Sequence, residues 1–157
     1  MSLEVKIAPA ERRDLARAAL LHDIGKLGVS NMVLDKGGKL TEAEWVQMRR
    51  HTEFTYQILK RVNGFSQFAD MASSHHERPD GKGYHRAIYG GQLSPSARLL
   101  AVADKYEALT ASRPYRDALL PQRALEILEN QVGTGVDSMS FEALRAMLAK
   151  TGDQRVP

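Results

Sequence analysis

Apolar residues recur at three-and-four spacing along nearly the whole chain, while period-two alternation between turn signals is scarce. Such a pattern buries its apolar side chains only as helices, so the expected fold is all-α, a bundle of about six to seven helices. Pro9 and Ala10 open a helix through Leu15, Ala18 and Leu20 that carries His22 and Asp23 at its end, with Gly25 and Gly28 breaking it. Thr41 and Glu44 form a capping box that starts a long helix through Trp45, Met48, His51, Tyr56 and Leu59, closed at Asn63-Gly64. The next helix is expected from about Phe65 to His75 and His76, both in its last turn, and the glycine-rich loop Pro79-Asp80-Gly81-Lys82-Gly83 follows it. Ser94 and Pro95 read as an N-cap and a first-turn proline for a helix through Leu99, Val102, Tyr106 and Leu109, with Asp104 beside its apolar face. Pro121 starts another helix, and after the turn Gly133-Thr134-Gly135 a last one holds Phe141, Leu144 and Leu148.

A chain of 157 residues is expected to form one domain over 1–157, with roughly two thirds of its unfolded surface buried. Met1-Ser2-Leu3 reads as a cloning remnant, and the tail 152–157 is expected to fray. No cysteine is present, so a metal must be held by nitrogen and oxygen, and thiolate chemistry is excluded. The net charge of +3 is mild and its lysines and arginines are spread along the chain, so nucleic-acid binding is not implied. No stretch approaches the length of a membrane span and the first ten residues lack a secretory signal, which points to the cytoplasm.

The five histidines are unevenly placed: His22 precedes Asp23, His75 and His76 are adjacent, and His51 and His85 stand apart. Adjacent helical residues point about 100° apart, so a His-Asp or His-His step can serve one centre only where a helix end faces it. The breaks after Asp23 and after His76 allow that. A carboxylate offers two oxygens and an imidazole one nitrogen to a metal, so Asp23 is the natural bridge, with His22, His51, His75, His76 and Asp104 around it. Two ions so held would clamp a phosphate ester and generate the attacking hydroxide. Lys26, three residues after Asp23, would stabilise charge on that phosphate. Nitrogen and oxygen ligands suit iron, manganese, zinc or nickel. Taken singly, His51 reads as a packed histidine, Asp104 as a salt-bridge partner and Arg113-Pro114-Tyr115-Arg116 as a solvated loop; Lys82 and His85 read as solvated. The Gly133-Thr134-Gly135 turn lacks the residues of a P-loop.

In order and spacing these blocks resemble the HD-GYP domains, a branch of the HD superfamily of metal-dependent phosphohydrolases that act on cyclic di-GMP. The likeness runs from about Leu15 to Phe141: Ala19 to Lys26, Leu40-Thr41 with Glu44-Trp45 and His51, His75-His76-Glu77 with Asp80-Gly81-Lys82-Gly83-Tyr84, and Ala103-Asp104 with Ala108-Leu109-Thr110 and Arg113-Pro114-Tyr115-Arg116. The resemblance implies a helical bundle around two or three divalent ions, often iron or manganese, that cleaves cyclic di-GMP to linear pGpG and sometimes on to GMP. It implies metal ligation by His22, Asp23, His51, His75, His76 and Asp104, catalytic roles for Asp23 and Lys26, and substrate contacts by Lys26, Tyr84, Arg113 and Arg116. Its usual company is an upstream receiver or sensor domain and diguanylate cyclase domains, and a homodimer is compatible with it. The chain departs from the family pattern in having no histidine among the 21 residues before His22, where the family places a further ligand, as in a domain truncated at its N-terminus. It also has His85 where the signature has proline, Pro79 where an aromatic is usual, and Glu107 in place of an aspartate. Three functions are compatible with this: a cyclic di-GMP phosphodiesterase, a catalytically impaired nucleotide- or protein-binding signalling domain, and an HD phosphohydrolase of another phosphate ester.

Overall fold

The computed structural model describes residues 1, 5, 7–112 and 117–151. Among them the regular structure is helical, and the one β contact is an isolated bridge between Val132 and Val136. Seven helices of five residues or more and one single turn follow in order: α1 (Pro9–Leu21), the turn α2 (Asn31–Leu34), α3 (Glu42–Arg49), α4 (His51–Lys60), α5 (Ala69–Ser73), α6 (Pro95–Thr110), α7 (Pro121–Glu129) and α8 (Ser138–Thr151). Short 3-10 turns occupy Ile24–Gly28, Ser66–Phe68 and Gly90–Gln92.

The start signals act as their chemistry requires. Pro9, Pro95 and Pro121 each sit at the first turn of a helix, where a missing N–H costs nothing. The Ser94 hydroxyl accepts from the Ala97 N–H, and the Thr41 hydroxyl and Glu44 carboxylate cap each other's backbone at the head of α3. At the head of α8 the Asp137 carboxylate accepts from the Ser140 N–H and hydroxyl, while Arg98 of α6 reaches the same carboxylate at 3.1 Å.

Two expectations about boundaries are corrected. The long helix expected through His51 is broken at Arg50, whose N–H is shared between the Gln47 and Met48 carbonyls, so that α3 and α4 are separate and His51 opens α4. Periodicity runs through such a break because the apolar spacing survives it. The helix expected to carry His75 and His76 in its last turn ends at Ser73, with Ser74 as its cap, and both histidines lie in the turn just beyond. The tail from Gly152 lies outside the described residues.

The longest helix, α6, is the spine of the fold. Its Ala97 and Leu100 join Ala18 of α1, Leu59 of α4, and Phe68, Ala69, Met71 and Ala72 in one apolar cluster. Its Val102 and Tyr106 join Ala124 and Leu128 of α7 with Phe141, Leu144 and Leu148 of α8 in a second. Apolar burial at ~25 cal/mol per Å² makes these clusters the main favourable term of folding. Sharing α6, they fix where Asp104 stands relative to α1 and α5.

Candidate metal centre

Three elements end at one point. His22 is the C-cap of α1, His51 is the first residue of α4, and His75 and His76 follow α5. The turn Ile24–Gly28 lies so close to α4 that a Cβ on Gly25 would sit 1.9 Å from the His51 carbonyl oxygen and 2.4 Å from the Thr55 nitrogen. Gly25 is thus required by close approach rather than merely as a helix breaker. The fully buried Thr55 staples this contact: its hydroxyl donates to the His22 carbonyl at 2.8 Å and accepts from the Gly25 N–H at 3.0 Å.

The imidazoles are oriented from behind. Nδ1 of His22 donates to the Ala19 carbonyl at 2.8 Å, Nδ1 of His51 to Met48 at 2.7 Å and Nδ1 of His75 to Ala72 at 2.7 Å, each three residues back. Occupying Nδ1–H in this way selects the tautomer whose Nε2 carries a bare lone pair, and it turns that lone pair inward. Nε2 of His51 and Nε2 of His75 consequently stand 3.2 Å apart with no proton between them. Two lone pairs at that separation repel unless a cation takes them.

The carboxylates complete the set. Asp23 Oδ1 lies 3.5 Å from Nε2 of His51 and 3.7 Å from Nε2 of His75, while its Oδ2 lies 3.5 Å from Nε2 of His22 and 2.5 Å from Lys26 Nζ. The two oxygens therefore face different nitrogens, as a bridging ligand requires. Asp104 spans the other side, with Oδ1 3.5 Å from Nε2 of His22 and Oδ2 3.8 Å from Nδ1 of His76. Ligand atoms of His51, His75 and His76, and those of His22, Asp23 and His75, fall within 4.8 Å of one another. All six expected ligands are brought together, and their donor atoms fit divalent ions of borderline hardness.

Electrostatics agree with that fit. Burial, then the neighbouring imidazoles, hold His75 and His76 down at about 3, and burial lowers His51 too, so these rings are neutral and free to ligate near pH 7. Burial works against ionisation of Asp23, but the Lys26 hydrogen bond and charge outweigh it and leave the carboxyl below its usual range. His22 is lowered by burial and raised by more through Asp104, the Ala19 carbonyl and Asp23, ending above its ordinary value.

Tyr84 packs on the cluster, its ring centroid 4.7 Å from that of His76 and 6.3 Å from that of His51. Burial and then Asp104 push its hydroxyl up to about 12. Arg113 and Arg116 lie outside the described residues.

Sequence reasoning placed Glu77 in the motif but gave it no role; it is 1% exposed. Its carboxylate accepts from the backbone N–H of Arg86 at 2.8 Å and of Ile88 at 3.2 Å, and Gly83 passes where a Cβ would be 2.5 Å from the Glu77 Cα. Arg86 in turn binds Asp70 at 2.8 Å and lies 3.3 Å from the hydroxyls of Ser73 and Ser74. A buried acid beside the His75-His76 pair thus organises the loop that presents Tyr84. His85 in this loop has φ of 83°, a value closed to proline, so its departure from the family signature goes with a backbone path that proline would forbid.

A helical bundle whose ends converge on imidazoles and carboxylates of this order is an HD domain. The HD domain family model matches residues 1–139, and the chain belongs to that family. Among curated relatives, 3'3'-cGAMP-specific phosphodiesterase 3 of Vibrio cholerae is 46% identical over 151 residues, covering 96% of this chain and 33% of that protein. Cyclic di-GMP phosphodiesterase response regulator RpfG of Xanthomonas campestris is 40% identical over 143 residues, covering 90% of this chain and 38% of that protein. The crystal structure of the cyclic GMP-AMP-specific phosphodiesterase V-cGAP3 of V. cholerae superposes with a TM-score of 0.54 at 41% identity, covering 99% of this chain and 34% of that one. The chain spans about a third of the length of these curated relatives. Their names bear out the HD-GYP resemblance.

Proposed function

We propose that the chain is the catalytic domain of a metal-dependent phosphodiesterase that opens a 3',3'-linked cyclic dinucleotide, with cyclic di-GMP as substrate and linear pGpG as first product. The observation that carries this reading is the 3.2 Å approach of Nε2 of His51 to Nε2 of His75, flanked by Asp23 with its two oxygens turned to different nitrogens. His22, Asp23, His51, His75, His76 and Asp104 would hold two divalent ions, iron or manganese before zinc or nickel. Such ions supply Lewis-acid polarisation of the scissile phosphate and acidify water when bound.

The protein's own part is positioning. The i−3 carbonyls fix the imidazole planes, and Lys26 supplies positive charge at the mouth of the site beside Asp23. Tyr84, whose ring lies against His76, would stack on a nucleobase next to the cluster. Arg113 and Arg116 remain candidates for phosphate and guanine contacts on the resemblance alone. No helix among the described residues is long and apolar enough to cross a membrane.

One observation favours a second substrate. The relative named for 3'3'-cGAMP is 46% identical against 40% for the one named for cyclic di-GMP, so 3'3'-cGAMP belongs in the same assay. With manganese or ferrous iron, chromatography of the products should show a linear dinucleotide from at least one of the two. A protein that carries its metals and cleaves neither would overturn the proposal.

A further inference from the structure

A cavity of about 370 Å³ is lined by Arg49, Arg50, Glu53 and His85, the first three around the start of α4 that carries His51. Tyr84 connects this cavity to the imidazole cluster, because its ring lies against His76 and also has the Arg49 guanidinium carbon 5.7 Å from its centroid. The same guanidinium lies 5.8 Å from the Trp45 ring centroid, so two aromatic rings hold it. Arg50 is occupied otherwise, 3.6 Å from the Glu53 carboxylate and over the Phe54 ring. Arg49 makes no ion pair among the described residues.

A guanidinium held by aromatic rings keeps its N–H edges free, and those edges match two oxygens of a phosphate or carboxylate. Tyr84 joins it to the imidazole cluster, a site suited to divalent cations, so an anion is the ligand that the local charge favours. A cyclic dinucleotide carries two phosphodiesters, and only one can be under attack at a time.

We infer that Arg49 receives the second phosphodiester of the substrate, the one not under attack at the imidazole cluster, and so makes the enzyme prefer cyclic dinucleotides to esters with a single phosphate. This rests on the function proposed above. Trp45 and Tyr84 keep the guanidinium in place, and His85 forms part of the wall.

The test compares wild type with Arg49→Ala and Arg49→Lys, each first checked for helical content and metal content. In manganese, KM for cyclic di-GMP should rise roughly tenfold to a hundredfold in Arg49→Ala, the loss expected for a charge-assisted hydrogen-bonding partner. KM for bis(p-nitrophenyl) phosphate should rise less than about twofold, since that ester has no second phosphate. Arg49→Lys should fall between, keeping charge without the planar fork. Equal effects on the two substrates, or none on cyclic di-GMP, would overturn the inference. If wild type turns over neither substrate the hydrolase reading falls, and equilibrium dialysis of labelled cyclic di-GMP then decides on Arg49: weaker binding by Arg49→Ala supports the contact, and undiminished binding or no binding by wild type refutes it.

Discussion

Thr55→Val removes one oxygen from the molecule and nearly keeps its shape, which isolates the staple between α4 and the His22–Gly25 turn. The lost hydroxyl leaves the buried Gly25 N–H without its acceptor and the His22 carbonyl without its donor. An unsatisfied buried polar group costs about 1–3 kcal/mol, and two of them, one only partly buried, come to about 2–4 kcal/mol. Set against a total stability of about 5–15 kcal/mol, that is a large loss. Urea unfolding of the metal-free proteins followed by circular dichroism should show it as a lower midpoint at unchanged slope. Thr55→Ser keeps the oxygen and loses a methyl, so it should cost only about 1 kcal/mol. The valine variant should also bind metal more weakly, because the turn that carries Asp23 is no longer tied to the helix that carries His51. If Thr55→Val unfolds within about 0.5 kcal/mol of wild type and takes up its full metal content, the staple does not position the site.

Asp23→Ala should empty the site of metal while far-ultraviolet circular dichroism stays helical, since the carboxylate faces nitrogens from three elements and contributes nothing to the apolar clusters; full metal content by elemental analysis would contradict a bridging role. In the metal-free protein, His75 and His76 take protons near pH 3 when folded and near 6.5 when unfolded, so between those values the unfolded chain binds more protons and stability falls as pH drops. His22 is shifted the other way and opposes this near neutrality, but it is one ring against three, since burial lowers His51 as well. Melting temperatures in chelator should decline from pH 7 to pH 4, and a flat profile would refute the assignment. Glu77→Ala should free the Arg86 and Ile88 amides to exchange with deuterium while α6 stays protected; persistent protection would show that the loop holds itself without the buried carboxylate.

Helix starts were readable from the residues because each is a local device: Ser94 with Pro95, Thr41 with Glu44 and the first-turn prolines act within one turn. The six candidate ligands were readable because their chemistry is unusual in company and the family likeness fixed their order. The Arg50 break was not, since nothing in the spacing of apolar residues registers a backbone carbonyl shared across it. Thr55 was silent because its partners lie 30 and 33 residues away, and it looks like any threonine on a helix. The role of Glu77 was silent because its partners, two backbone N–H groups, lie 9 and 11 residues later in the loop. Gly25 was seen as a breaker, while the reason for it, the approach of α4, exists only in three dimensions.

Diffraction from crystals grown with manganese, with anomalous scattering recorded at its absorption edge, bears most directly on the proposed paired-cation centre. Two peaks about 3.5–4 Å apart should appear, both in contact with Asp23 and within bonding distance of inward-facing nitrogens of His22, His51 and His75. Full-occupancy ions bound elsewhere, with the His51 and His75 nitrogens still bare and facing each other, would contradict it.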